Sequence, residues 1–303
     1  MWIYKKEDGS MKEVSLFVMS RKGYALLKDI IDGGYAPQID KVVIAHDKAM
    51  ANDYYEEMYS VCKEAGVEVH DKTENVAIYS SYCVTIMWRW MIPLQENSKL
   101  IVFHDSLLPK YRGFSPLVNM LINREPYIGV TSLFASNEYD KGDIIAQRKV
   151  AVQYPIKISD AIDLESPLFS DILIEIFEKI KNNQPINATP QKESEASYSL
   201  WRDEEDYHID WTGNSHEIQQ FVYSVGYPFK GAYTLLEGEV LRIVDCEPVD
   251  DVHVENRTPG KMIFLDKGCP VVVCGEGLLK LTDIRNDEGE SLLPLKKFRN
   301  RFK

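Results

Sequence analysis

This sequence predicts an α/β fold: a doubly wound, mostly parallel sheet followed by a second, smaller β-barrel. Three observations predict it. Apolar strand-like runs alternate with helical patterns through the first half, as parallel sheets with crossover helices require. At 303 residues the chain exceeds one small core and suits two domains. A polar stretch rich in Asn, Pro and Ser then separates that half from a tail of short strands.

Taken in order, residues 13–19 read as a strand, followed by a helical pattern over 24–32. Strands are expected over 41–46 and 77–80, with an acidic helical stretch over 49–65 between them. The turn after the first strand, Ser20-Arg21-Lys22-Gly23-Tyr24, is not a G-x-G-x-x-G turn, which disfavours a dinucleotide site and a dehydrogenase. Further strands are expected over 83–87, 100–103, 129–135 and 144–152. Residues 158–182 look helical but interrupted by Pro167. Beyond the linker come a helix over 215–225 and strands over 231–236, 240–244, 261–265, 271–273 and 278–284, a pattern suited to an open Greek-key barrel of the OB type. The expected boundaries are 1–185 for the catalytic domain, 186–198 for the linker and 199–303 for the carboxyl-terminal domain.

Composition narrows the function. No run approaches the ~18–20 apolar residues that span a bilayer, so no membrane role is expected. The amino-terminal Met1–Ser10 stretch lacks a signal peptide's apolar core, which points to a cytoplasmic protein. Cys62, Cys83, Cys246, Cys269 and Cys274 form an odd set without a C-x-x-C pair, which fits reduced, buried thiols. They and the six His residues show no zinc-ligand spacing, so no metal is expected. The net charge of −12 is spread over both halves. A chain that grips nucleic acid normally presents a basic surface, and this one does not. Its one basic stretch is the tail, residues 296–303. Trp201, Tyr207, Trp211, Tyr223, Tyr227 and Phe229 enrich the second domain in aromatics. Such rings fill an interface more commonly than they stack on bases, and they leave a homodimer open.

The residues that point to chemistry begin at His104. The apolar run 100–103 stops there and a loop of turn formers begins, which places an imidazole at the carboxyl end of a strand, where open α/β sheets bind ligands. Downstream, Tyr139-Asp140-Lys141-Gly142-Asp143-Ile144 sets a carboxylate just before another strand. A His and an Asp on neighbouring strand ends form an orienting pair. Either residue by itself is more commonly an ordinary solvated or hydrogen-bonded group. The wording around His104 changes that weighing.

The stretch from His104 to Pro116, His-x-Ser-Leu-Leu-Pro-x-Tyr-Arg-Gly-x-x-Pro, resembles the signature of the folate-dependent formyltransferases. That family includes enzymes acting on methionyl-tRNA and on nucleotide-linked amino sugars. Met87-Trp88-Arg89-Trp90-Met91-Ile92-Pro93 is similar to its segment beside the pterin pocket, and Asp140-Lys141-Gly142-Asp143-Ile144 to its loop bearing the catalytic Asp. Residues 199–211, 259–261 and 275–281 resemble its carboxyl-terminal domain. The resemblance implies a formyltransferase-type, Rossmann-like fold, and N10-formyltetrahydrofolate as co-substrate. It implies His104 and Asp140 as the catalytic pair, with Met87, Trp88, Arg89, Ile92, Leu108, Pro109 and Asp140 around the reduced folate. Lys110 and Arg112 are the cations available for substrate phosphate or for the folate glutamate, since Arg matches planar anions bidentately. For both, a structural ion pair weighs equally.

One position departs from the family. Its catalytic trio is Asn-x-His with the later Asp, and the residue two before His104 is Val102. Val donates no hydrogen bond, and loss of one oxyanion donor costs ~10²–10³ in kcat elsewhere. Ser106, Asn119 and backbone N–H groups are the available substitutes. The leading expectation is therefore an N-formyltransferase acting on a nucleotide-linked amino sugar for a surface glycan. Methionyl-tRNA formyltransferase is the alternative, and a transferase fold that has lost its activity through Val102 is the third reading.

Overall fold

The structure, a computed structural model, describes residues 13–47, 50, 52–92, 94–295 and 297–303. The amino-terminal stretch and part of the expected 49–65 helix lie outside the described residues. The chain divides into two compact units, one of residues 1–116, 127–151 and 162–199, the other of 117–126, 152–161 and 200–303.

The first unit is built on β1 (Val14–Val18), β2 (Ile39–Ile44), β3 (Glu68–Asp71), β4 (Tyr82–Ile86) and β5 (Lys99–His104). The two-residue β6 (Arg112–Gly113) comes next, then β7 (Tyr127–Phe134) and β8 (Ile144–Ala151). The main sheet has the order β3-β2-β1-β4-β5-β7-β8. Its first five strands are parallel, and β7 and β8 run antiparallel. Every residue of β1 is buried, as a central strand covered on both faces demands. The edge strand β3 buries only Val69, so its Glu-Val-His-Asp pattern carries little apolar signal. The expected strand at 77–80 is therefore absent: that segment has no regular structure, although Ile78 is buried.

Helices α1 (Ser20–Asp32) and α2 (Tyr55–Glu64) contribute Leu26, Leu27, Ile30, Met58 and Cys62 to the core. Glu56 and Glu57 open α2 and Lys63 lies in its last turn, matching the helix dipole at both ends. After the short α3 (Pro116–Ile122), α4 runs unbroken from Ile158 to Lys181 with Pro167 inside it. Pro costs a helix interior ~3 kcal/mol. Phe169, Ile172, Leu173, Ile176, Phe177 and Ile180 of the same helix are buried, each stabilising by ~1.5–3 kcal/mol, so packing wins over the expected break.

Residues 186–198 belong to the first unit rather than forming a free linker. Thr189 and Ile144 exchange backbone hydrogen bonds of 2.8 Å, and β9 (Tyr198–Ser199) pairs in parallel with β6.

In the second unit α5 (Ser215–Ser224) starts at Asn214, whose side chain accepts from the His216 N–H. It packs on a sheet of β10 (Ala232–Leu236), β11 (Glu239–Val249), β12 (Met262–Asp266), β13 (Cys269–Val273) and β14 (Leu278–Arg285), antiparallel throughout in the order β10-β11-β14-β13-β12. All five expected strands are present. Residues 152–161 join this unit through hydrogen bonds between Ile156 and the Gln220 side chain and an ion pair of Lys157 with Asp245.

Candidate active site

Strand alternation sorts the end of β5 into two faces. Phe103 and Asp105 reach α1 and α4, where Phe103 stacks on Phe169 at 5.8 Å and Asp105 accepts from the Lys22 ammonium at 2.9 Å. His104 turns the other way. Its Nε2 lies 2.8 Å from the Tyr111 carbonyl, and its Nδ1 lies 3.6 Å from Asp140 Oδ1. A carbonyl only accepts, so Nε2 carries a hydrogen, and Nδ1 is the ring nitrogen that faces the carboxylate.

The loop that follows is fixed by its own backbone and by β7 and β8. The Ser106 hydroxyl donates to the Lys110 carbonyl at 2.7 Å. Thr131, the β7 partner of His104, donates from Oγ1 to the Ser106 carbonyl at 2.7 Å and accepts from Leu108 N–H at 3.1 Å. The Gln147 amide donates to both Leu108 O and Thr131 Oγ1 at 2.8 Å.

Asp140 arrives by a longer path than the sequence suggests. Because β7 runs antiparallel to β5, its last residue, Phe134, pairs with Ile101 rather than ending beside His104. The loop of residues 135–143 then brings Asp140 back. Asp140 is left-handed (φ +57), a region costly for most side chains. Three contacts hold it there: Gly113 N–H donates to Oδ2 at 2.8 Å, and the Gln191 amide donates to Asp140 O at 2.7 Å and Gly142 O at 2.8 Å. Gly142 is required, because a Cβ there would lie 1.7 Å from the Phe134 carbonyl oxygen.

The expected pterin segment lies at the carboxyl end of β4. Met87 is left-handed (φ +58) and turns the chain out of the sheet. Trp88 packs edge-on against Phe17 at 5.3 Å and against Trp90 at 5.1 Å, and Ile92 joins the Phe17, Val43, Ile78 and Cys83 cluster. Arg89 is tied to the buried Asp47 at 2.5 Å. The Trp88 Nε1–H is buried without an acceptor among the described residues. A buried donor left unmade costs ~1–3 kcal/mol, and a pterin ring is rich in acceptors, so this segment fits a folate.

The remaining expected residues divide. Leu108 is buried and Pro109 half-buried, and both shape the turn. Lys110 is exposed and has no ion pair among the described residues. Arg112 is corrected: its side chain is 1% exposed and donates to Gln191, Glu193 and the Tyr198 hydroxyl, so it braces the segment around β9 instead of awaiting a phosphate. Of the two side chains expected to stand in for the missing Asn, Ser106 is engaged elsewhere as a donor. The Ser106 proton goes to Lys110 O, and the Asn119 oxygen accepts from Arg202. Val102 pairs with Thr85 and Leu133 in the middle of the sheet.

Sequence reading missed Gln147, Thr131, Gln191 and Tyr111. Thr131 carries only the weak signal of a polar side chain in a buried strand, and Gln147 carries none, being exposed on β8. Gln191 was hidden in a polar stretch, and Tyr111 acts through its backbone. No group of three His, Cys, Asp or Glu able to hold a metal occurs among the described residues. No described helix is long and apolar enough to cross a membrane.

The arrangement defines an α/β protein with a His–Asp pair over the end of a central strand. The Formyl transferase model matches residues 34–161, and the model of the Formyl transferase C-terminal domain matches residues 202–303; this chain belongs to the formyl transferase family. A curated relative, the methionyl-tRNA formyltransferase of Caldanaerobacter subterraneus subsp. tengcongensis, is 32% identical over 61% of this chain and 58% of its own length. A second, from Alkaliphilus oremlandii, is 31% identical over 60% of this chain and 57% of its own. The chain thus spans less than two thirds of the curated relatives it matches. The same fold occurs in the N-formyltransferase from Helicobacter canadensis solved with folinic acid and dTDP-3-aminofucose. That match has 15% identity, covers 89% of this chain and 99% of that one, and has a TM-score of 0.67.

Proposed function

We propose that this chain is a cytoplasmic N-formyltransferase that moves a formyl group from N10-formyltetrahydrofolate to the amine of a nucleotide-linked amino sugar, supplying a modified sugar for a surface glycan. The observation that carries the reading is the His104–Asp140 pair, with Nε2–H committed to the Tyr111 carbonyl and Nδ1 facing the carboxylate. An attacking amine must shed a proton, and Nδ1 is the atom placed to take it. Asp140 stabilises the imidazolium so formed, with the Gly113 N–H donating to that carboxylate and Gln191 to the Asp140 backbone carbonyl. N10-formyltetrahydrofolate, when bound, supplies the formyl group. Met87, Trp88, Arg89 and Ile92 would hold it, with the Trp88 N–H free to bond the pterin edge and Leu108 and Pro109 shaping the slot. Lys110, exposed and without an ion pair among the described residues, is the cation that would meet the substrate's phosphates.

The net charge of −12 favours a nucleotide sugar over tRNA, whose binding rests on phosphate neutralisation across a broad surface. Solved sugar N-formyl transferases share the fold over nearly their whole length, which supports the same choice. Methionyl-tRNA formyltransferase stands as a second reading because curated relatives carry that name.

The test is transfer itself: incubation with N10-formyltetrahydrofolate and a panel of dTDP- and UDP-linked amino sugars, beside methionyl-tRNA, with the formamide product read by mass spectrometry. A formylated nucleotide sugar is expected. Formylation of methionyl-tRNA alone, or of nothing, would overturn the reading.

A further inference from the structure

Behind His104, on the face of the sheet away from Asp140, lies a buried cluster that proton transfer does not use. Lys22, on the first turn of α1, is 4% exposed and donates to Asp105 at 2.9 Å and to Glu165 of α4 at 2.5 Å. Glu165 is fully buried, and its other oxygen, Oε1, takes no hydrogen bond among the described residues. Four residues on, Phe169 projects from the same helical face, stacks on Phe103 and lies 5.3 Å from the Lys22 ammonium. One face of α4 therefore grips both chain neighbours of His104: Phe103 directly, and Asp105 through Lys22.

We infer that Lys22, Glu165 and Asp105 are positioning residues for His104: Asp105, clamped to α4 through the Lys22 ammonium, fixes the backbone from which the imidazole reaches Tyr111 O and Asp140. The inference rests on the reading of His104 as the proton acceptor. A buried ammonium with two carboxylates is a costly way to stabilise a fold, since apolar replacements of similar volume commonly do as well or better. Its use here is directional. A hydrophobic contact tolerates sliding, whereas an ammonium between two carboxylates sets Asp105 at one distance and one angle. The charges are consistent with such a clamp. Burial opposes the Lys22 charge, but Asp105 and Glu165 outweigh it and hold its pKa above the ordinary value. Burial likewise opposes the Asp105 charge, and Lys22 and His104 bring its pKa below the ordinary value. A working His104 needs that precision, because misplacement of a reacting group by ~1 Å costs about 10²-fold in rate.

The test compares Asp105→Ala with Asp105→Asn. Alanine releases the clamp yet leaves Lys22 and Glu165 a charge-balanced pair, so the fold is retained; asparagine keeps an oxygen that accepts from Lys22. Two readouts are taken: kcat and KM for both substrates, and the ring nitrogen resonances of His104 by NMR, which report its tautomer without any turnover. For Asp105→Ala, kcat is expected to fall roughly 10- to 100-fold with KM within about threefold, and the Nε2-protonated ring signal should give way to averaged tautomers. Asp105→Asn should keep the ring signal and stay within about threefold of the parent kcat. Lys22→Met/Glu165→Met, which replaces the buried pair with apolar side chains, should behave as Asp105→Ala does. A folded Asp105→Ala or Lys22→Met/Glu165→Met protein with an unmoved His104 ring overturns the clamp, whatever its rate; so does an Asp105→Asn protein as impaired as Asp105→Ala. If the parent transfers no formyl group, the proposed function fails but the ring signal still decides this inference.

Discussion

Glu165→Gln isolates a pH dependence built into the core. Burial raises the Glu165 carboxyl from the ordinary 4.5 to about 7, with Lys22 pulling the other way and Asp105 adding to the rise. A carboxyl whose pKa is raised on folding binds its proton more tightly in the native state. Its contribution to stability is complete below the unfolded pKa and is lost as pH climbs through the folded one. The window is therefore pH 4.5 to about 7. At 1.36 kcal/mol per pH unit, the native state should lose about 3 kcal/mol across it from this group. No discount for solvent applies, because the side chain is fully buried. Gln mimics the protonated form and does not titrate, so parent and variant should diverge by about 3 kcal/mol between pH 4.5 and 8, the parent becoming the less stable. Hydrogen exchange of the β1 and β5 amides reads the opening of this unit alone, and the intrinsic exchange rate cancels between the two proteins at each pH. A difference that stays flat across the window would refute a neutral, buried Glu165 at low pH. A divergence of the opposite sign would show that the native state prefers the carboxylate.

Two further outcomes bear on the site. Asp140→Asn keeps an oxygen for the Gly113 N–H but has no charge for the imidazolium, so the fold should persist while kcat falls by about 10²–10⁴-fold; a loss below tenfold with an unchanged pH profile would make Asp140 only a loop residue. Val102→Asn restores the donor that this chain lacks and should raise kcat by up to ~10²-fold; a slower enzyme with unchanged melting would show that another donor already serves.

The sequence makes the fold legible where burial is two-sided and hides it where burial is one-sided. β1 and β5 announce themselves as apolar runs, and α4 as a long apolar periodicity, although Pro167 argues locally for a break that distant packing overrides. β3 is an edge strand with one buried residue, so a stretch beside it with more apolar character draws the assignment instead. In the site, His104 and Asp140 are readable because they sit inside a distinctive string of residues. The path that joins them is not, because strand direction decides it: an antiparallel β7 needs a returning loop, a left-handed Asp140 and a Gly at 142. Arg112 shows the opposite limit. A charged side chain within a functional motif reads as a ligand contact, yet its partners, Gln191 and Glu193, lie some eighty residues away in a stretch that reads as linker.

These observations assign separate duties to the two faces of β5. Phe103 and Asp105 face α1 and α4, where burial and an ammonium between two carboxylates fix the backbone. Val102 and His104 face the site, and of those two only His104 can exchange a proton. With no side-chain donor at 102, and with the Ser106 hydroxyl committed to Lys110 O, the β5 end and the Ser106 side chain offer chemistry through one imidazole. Its orientation then matters more than it would in a site with a second side chain to share the work. Three constraints converge on that ring: the Tyr111 carbonyl on Nε2, the Asp140 carboxylate opposite Nδ1, and the strand end held between Phe169 and Lys22. Loosening any of them should reduce turnover before it reduces binding, because each governs where the proton goes and none belongs to the Met87–Ile92 segment where a folate would sit.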